Sequence, residues 1–71
     1  MIVFTQDACA PCKTLKYWLN KKEIAYDEAP IVDHVDELRD KGFWSAPVVK
    51  IGDRYFNGSD LSSIATHLGV S

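Results

Sequence analysis

Met1-Ile2-Val3-Phe4-Thr5 runs through Gln6-Asp7-Ala8 into Cys9-Ala10-Pro11-Cys12 and on to Lys13-Thr14-Leu15-Lys16-Tyr17-Trp18-Leu19. Ile2, Val3 and Phe4 are consecutive, β-branched or aromatic, and Met1 to Thr5 has about the length of a fully buried strand. Gln6-Asp7-Ala8 reads as a connecting loop. Beyond it, Leu15, Trp18 and Leu19 share one face of a 3.6-residue period with Cys12 at its start, while Lys13, Lys16 and Asn20 face away. A helix is therefore expected from about Ala10 to Lys21. Pro11 falls in its first turn, where a missing N–H costs little. Cys9 and Cys12 are the chain's two cysteines. Their spacing puts both sulfurs on the first helical turn, near enough to join as a disulfide and to reopen. A dithiol held between a strand and a helix N-terminus is the geometry of thiol–disulfide exchange.

The bulk composition narrows the classes. Seventy-one residues make one domain at most, expected to span 1–71. A chain this short buries only roughly 60–65% of the surface its unfolded form exposes, so its core is thin. With 46% hydrophobic and 25% charged residues, four Gly and three Pro, it reads as an ordinary globule without repeats. A net charge of −2 argues against a nucleic-acid partner, whose binders are normally basic. The apolar run at the start lacks a basic flank and is short, so neither a secretion signal nor a membrane span is expected. That places the cysteines in a reducing cytoplasm. There a lone pair is catalytic or metal-binding more often than a structural staple.

The rest of the chain alternates strands and helices. Ile24-Ala25-Tyr26-Asp27 reads as a weak second strand, and Pro30 ends the loop after it. Ile31 to Asp40 reads as a helix with Ile31, Val35 and Leu38 inward, the acidic residues outward and Gly42 placed to stop it. Pro47-Val48-Val49-Lys50-Ile51 is a third strand. Gly52-Asp53 is a tight turn into the strand Arg54-Tyr55-Phe56-Asn57, which makes a hairpin. Gly58-Ser59-Asp60 opens the last helix, with Ser59 or Asp60 as N-cap, an apolar stripe of Leu61, Ile64, Ala65 and Leu68, and Gly69 at its end. The order β-α-β-α-β-β-α gives an α/β fold with a mixed four-stranded sheet.

These features together resemble the glutaredoxin branch of the thioredoxin superfamily, in its smallest form. The residues that carry the resemblance are Cys9-x-x-Cys12 after the first strand, Ala46-Pro47 before the third, and Gly58-Ser59-Asp60-Leu61 entering the last helix. The stretch Gly42-Phe43-Trp44-Ser45-Ala46-Pro47-Val48-Val49 is most similar to the NrdH-type redoxins. The resemblance covers almost the whole chain and implies a thioredoxin-like fold with a cis Ala46–Pro47 bond.

On chemistry, the N-cap position of Cys9 favours negative charge through free N–H groups and the helix dipole. In such motifs the first thiol titrates below the free value of about 8.5, often at ~3.5–7.5, which makes Cys9 the expected nucleophile. Asp7 opposes this if it faces the sulfur, and Lys13 helps. Cys12 is the expected resolving thiol, more buried. Ala10 and Pro11 tune the couple, and by resemblance a proline second in the pair implies a more reducing couple than a typical glutaredoxin. Ala46 and Pro47 are implied to present backbone groups to a bound peptide or thiol. Asn57, Gly58, Ser59 and Asp60 resemble a glutathione γ-glutamyl site, or else simply cap the helix. Phe43 and Trp44 form either a docking surface or core cover. His34 and His67, on polar helix faces, need no functional role.

The resemblance implies a dithiol–disulfide oxidoreductase with a redox-active disulfide and no bound cofactor. Its reductant would be a thioredoxin reductase using NADPH, its client a ribonucleotide reductase or another disulfide protein, and its natural state a monomer. Two alternatives stand beside it. One is a true glutaredoxin with glutathione as co-substrate. The other is a binding module whose cysteines hold a metal or an iron–sulfur cluster, although a zinc site from Cys9, Cys12 and both histidines has the wrong spacing.

Overall fold

The computed structural model describes residues 1–70. Its elements are β1 (Ile2–Thr5), α1 (Ala10–Lys21), β2 (Asp27–Pro30), a 3₁₀ turn (Ile31–His34), α2 (Val35–Asp40), β3 (Val48–Ile51), β4 (Arg54–Asn57) and α3 (Leu61–Leu68). The strands form one mixed sheet in the order β2-β1-β3-β4. β1 runs parallel to β2 and antiparallel to β3, and β3 runs antiparallel to β4. This is the thioredoxin-like arrangement expected from the sequence.

Successive strand residues point to opposite faces, so β1 and β3 each feed two cores. Val3 and Val49 face α1 and α3 and pack with Leu15, Leu19 and Ile64. Phe4 and Val48 face the other way and pack with Leu38 of α2. All eight are essentially sealed from solvent, and each such side chain contributes about 1.5–3 kcal/mol by burial. The consecutive apolar residues Val3-Phe4 and Val48-Val49 are thus required, because both sheet faces are covered. Gly52 turns the β3–β4 hairpin at φ 62, and Gly69 ends α3 in the left-handed region at φ 74, where a side chain would be strained.

Three expectations need correction. The second strand is not Ile24–Asp27 but Asp27–Pro30, in register from Ile2↔Asp27 to Thr5↔Pro30. After α1 the chain reverses at Glu23, which takes φ 58, and the Ile24 N–H returns to Leu19 O at 2.9 Å. Ile24 and Tyr26 are spent packing on the α1 core, and pairing starts only when the Asp27 N–H reaches Met1 O at 2.9 Å. Ile31–Asp40 is not one helix. Its first turn is 3₁₀, and His34 at φ −131 breaks it from α2. Val35 is consequently not inward but 41% exposed. Finally, β3 begins at Val48, one residue after Pro47. Among the described residues no helix is long and apolar enough to cross a membrane.

Candidate active site

Cys9 is the N-cap of α1, with extended backbone at φ −113 and ψ 100. Its neighbour Ala8 sits at φ 53, a left-handed conformation that costs a non-glycine residue about 1–2 kcal/mol. That bend delivers the chain from the loop into the cap. The Cys12 backbone N–H donates to Cys9 Sγ at 3.1 Å, so the sulfur takes the place that a Ser or Asp oxygen takes in an ordinary cap. The helix thus holds its own N-terminal donor against the first sulfur. Anionic sulfur at this position gains from both the hydrogen bond and the helix dipole. The two cysteines are joined as a disulfide with Cα atoms 5.2 Å apart, within the span such bonds require. Cys9 is 6% and Cys12 2% exposed, so the second cysteine is the more buried, by a small margin.

A cavity of about 590 Å³ opens beside the pair, lined among others by Asp7, Cys9, Cys12, Lys13, Lys16 and Glu28. Thr5, the buried polar residue at the end of β1, donates its hydroxyl to Glu28 Oε2 at 2.8 Å, and Lys16 Nζ reaches the same oxygen at 3.2 Å. These two contacts, the Thr5 hydrogen bond first, hold the Glu28 carboxyl below its ordinary range. This group was not among the sequence candidates. Glu28 lay in what reads as a loop, and only the parallel register with β1 brings it to the face of the sheet that carries α1.

On the other side, Ala10 and Pro11 face Gly58 and Ser59 across a groove of about 340 Å³. Gly58 donates its N–H to Pro47 O at 2.9 Å. The Ala46–Pro47 peptide is cis, as the resemblance implied. The structure therefore gathers the cysteine turn, Pro47 and the Gly58 segment at one end of the sheet. The polar groups of that last segment are already engaged. Asn57 Oδ1 accepts the Ser59 N–H at 2.9 Å, and Asp60 Oδ1 and Oδ2 accept the Ser63 N–H at 3.2 Å and the Ser63 hydroxyl at 2.7 Å. Asp60, not Ser59, is the cap.

The aromatic pair divides. Phe43 is half-buried against the Phe4–Leu38–Val48 core, whereas Trp44 is 76% exposed with the Arg39 guanidinium 5.6 Å from its ring. The histidines lie apart from the sulfurs. His34 is partly exposed, with its ring tilted against Phe4 at 4.9 Å, and the exposed His67 rests against Phe56 at 5.1 Å. Among the described residues no three His, Cys, Asp or Glu side chains come together as metal ligands.

No family model matches the chain. Two curated relatives do resemble it. The glutaredoxin-like protein NrdH of Lactococcus lactis subsp. lactis (strain IL1403) is 36% identical over 66 residues, covering 89% of this chain and 92% of the relative. Its counterpart from Lactococcus lactis subsp. cremoris (strain MG1363) is 35% identical with the same coverage.

Proposed function

We propose that this chain, which belongs to the NrdH-type glutaredoxin-like redoxins, carries two electrons from a reductase to disulfide-bonded client proteins. The Cys9–Cys12 pair makes it a thiol–disulfide redox protein. Cys9 is the nucleophile. In the reduced protein its thiolate attacks a client disulfide, forms a mixed disulfide and expels one client thiolate, which takes a proton from solvent. Cys12 then loses its proton and attacks Cys9 Sγ. The Cys9–Cys12 disulfide forms, the second client thiolate leaves, and the client has gained two electrons. The observation that carries this reading is the Cys12 N–H directed at Cys9 Sγ, which stabilises the first sulfur as an anion. Ala10 and Pro11 flank the exchange, and Ala46, Pro47, Gly58, Ser59 and Asp60 form the wall along which the client lies.

The reductant in this reading is a thioredoxin reductase and the client a ribonucleotide reductase, in the cytoplasm, with the chain acting as a monomer. Support against glutathione comes from the last loop. The N–H of Ser59, one of the groups that would hold the γ-glutamyl end, is taken up by Asn57 Oδ1. A coupled NADPH assay separates the two reductants. Turnover is expected with thioredoxin reductase. Turnover with glutathione and glutathione reductase alone would overturn that assignment and leave a true glutaredoxin.

A further inference from the structure

Lys16 lies four residues beyond Cys12 on α1. Side chains at that spacing are neighbours, with Cβ atoms about 5–6 Å apart. Cys12 faces the sheet, and the Lys16 side chain, 33% exposed, follows it along the same side to meet Glu28. Glu28 is held from β1 by the Thr5 hydroxyl, so three elements converge on one ammonium at the mouth of the cavity that both sulfurs line. The other charged groups on that cavity are Asp7, in the exposed loop, and Lys13. Lys13 is adjacent to Cys12 in sequence, and adjacent helix positions do not face one another.

We propose that Lys16 is a positioning residue for the second half of the exchange: its ammonium, braced by Glu28 and Thr5, stabilises the Cys12 thiolate as that sulfur loses its proton. The inference rests on the dithiol reading above and assigns a role to a pair outside the motif. Cys9 has its own stabilisation, from the Cys12 N–H at the head of the helix. Cys12 is the third residue of α1 and its own N–H is committed to Cys9 Sγ, so a cation beside it adds stabilisation that the cap gives to the first sulfur. A fixed ammonium provides it without rearrangement during the step. Glu28 cuts both ways. It anchors Lys16, and its negative charge, kept by the hydrogen bonds that lower its pKa, also offsets part of the ammonium's field.

The magnitude follows from thiol chemistry. Removing a nearby cation raises a thiol's pKa by about one unit or more. At neutral pH one unit cuts the thiolate population about tenfold, while the more basic thiolate regains roughly threefold in nucleophilicity, for a net loss of about threefold. The aromatic disulfide DTNB reads the two steps separately. Reduced protein releases one coloured thiolate when Cys9 attacks and a second when Cys12 resolves the adduct. Lys16→Met is expected to leave the first release within twofold of the parent, to slow the second about threefold at pH 7, and to move its pH midpoint upward. Glu28→Gln should move that midpoint downward, and Lys16→Arg should restore it. If both releases slow together in Lys16→Met, or the second keeps its pH midpoint, the role assigned to Lys16 is wrong. If the parent protein gives only one release, the dithiol reading itself fails instead.

Discussion

Gly58 lies against Pro47 so closely that a Cβ added to it would meet Pro47 Cγ at 2.6 Å and the Pro47 carbonyl oxygen at 2.8 Å. Pro47 is buried and cannot yield, because its ring is closed into the backbone. Gly58→Ala therefore forces the last loop away from Pro47. Overpacking of this kind typically costs about 1–3 kcal/mol, and chemical denaturation should show a loss in that range. Because the same loop walls the groove beside Ala10 and Pro11, the variant's turnover with protein clients should fall as well.

Phe43 and Trp44 are sequence neighbours with opposite duties. Phe43→Ala removes half-buried ring surface from the core on the α2 face and should cost about 2 kcal/mol, less than the roughly 3–5 kcal/mol of a fully buried ring. Trp44→Ala removes an exposed ring that holds the Arg39 guanidinium over its face, and should cost less than about 1 kcal/mol. If Trp44 meets the reductase, its removal raises the KM for that protein while small-molecule disulfides are still reduced at the parent rate. Parallel melting curves and coupled assays check both halves.

Glu37 on α2 is the anchor between that helix and the hairpin. It accepts from the Tyr55 hydroxyl and from Lys50 Nζ at 3.1 Å, with His34 3.4 Å away. The Tyr55 hydrogen bond, then Lys50, hold its carboxyl below the ordinary value of 4.5. A carboxyl whose pKa is lowered by folding adds stability that is present above its unfolded pKa and lost as pH falls through the folded one. The melting temperature should therefore decline below about pH 4.5. In Glu37→Gln that acid decline should be shallower, from a lower plateau at neutral pH. An unchanged acid limb would mean that the carboxylate does not tie α2 to the sheet.

Asp60 caps α3 through both oxygens. Asp60→Ala should cost about 1 kcal/mol, the usual worth of an N-cap. In a domain of this size that lowers the melting temperature by roughly 4–8 °C. Asp60→Asn, which keeps one accepting oxygen, should recover most of it.

The parts of this fold that were legible in the sequence are those whose signal lies in their own residues. Val3-Phe4 and Val48-Val49 are apolar on both faces because both faces are covered. Gly52 and Gly69 mark backbone turns that need positive φ, and Cys9 precedes a helix that starts where its periodicity does. The misread parts take their structure from elsewhere. Asp27-Glu28-Ala29-Pro30 has little strand character and pairs because β1 presents a free edge to it. The more strand-like Ile24 and Tyr26 are drawn into the core before pairing begins. Val35 fits a continuous helical stripe, but His34 prefers the Phe4 ring, and the 3₁₀ turn rotates the stripe outward. The Lys16–Glu28 contact followed the same pattern. It depends on the register of a strand whose position the composition does not reveal.

With Cys9 as the capturing sulfur and Cys12 as the releasing one, the two single variants should part company under intact-mass analysis. Incubated with a disulfide-bonded client, Cys12→Ser should accumulate a one-to-one covalent adduct through Cys9 that dissolves on adding dithiothreitol, and Cys9→Ser should form none. Steady reduction of the client by Cys9→Ser, or an adduct carried by its remaining Cys12, would contradict the account.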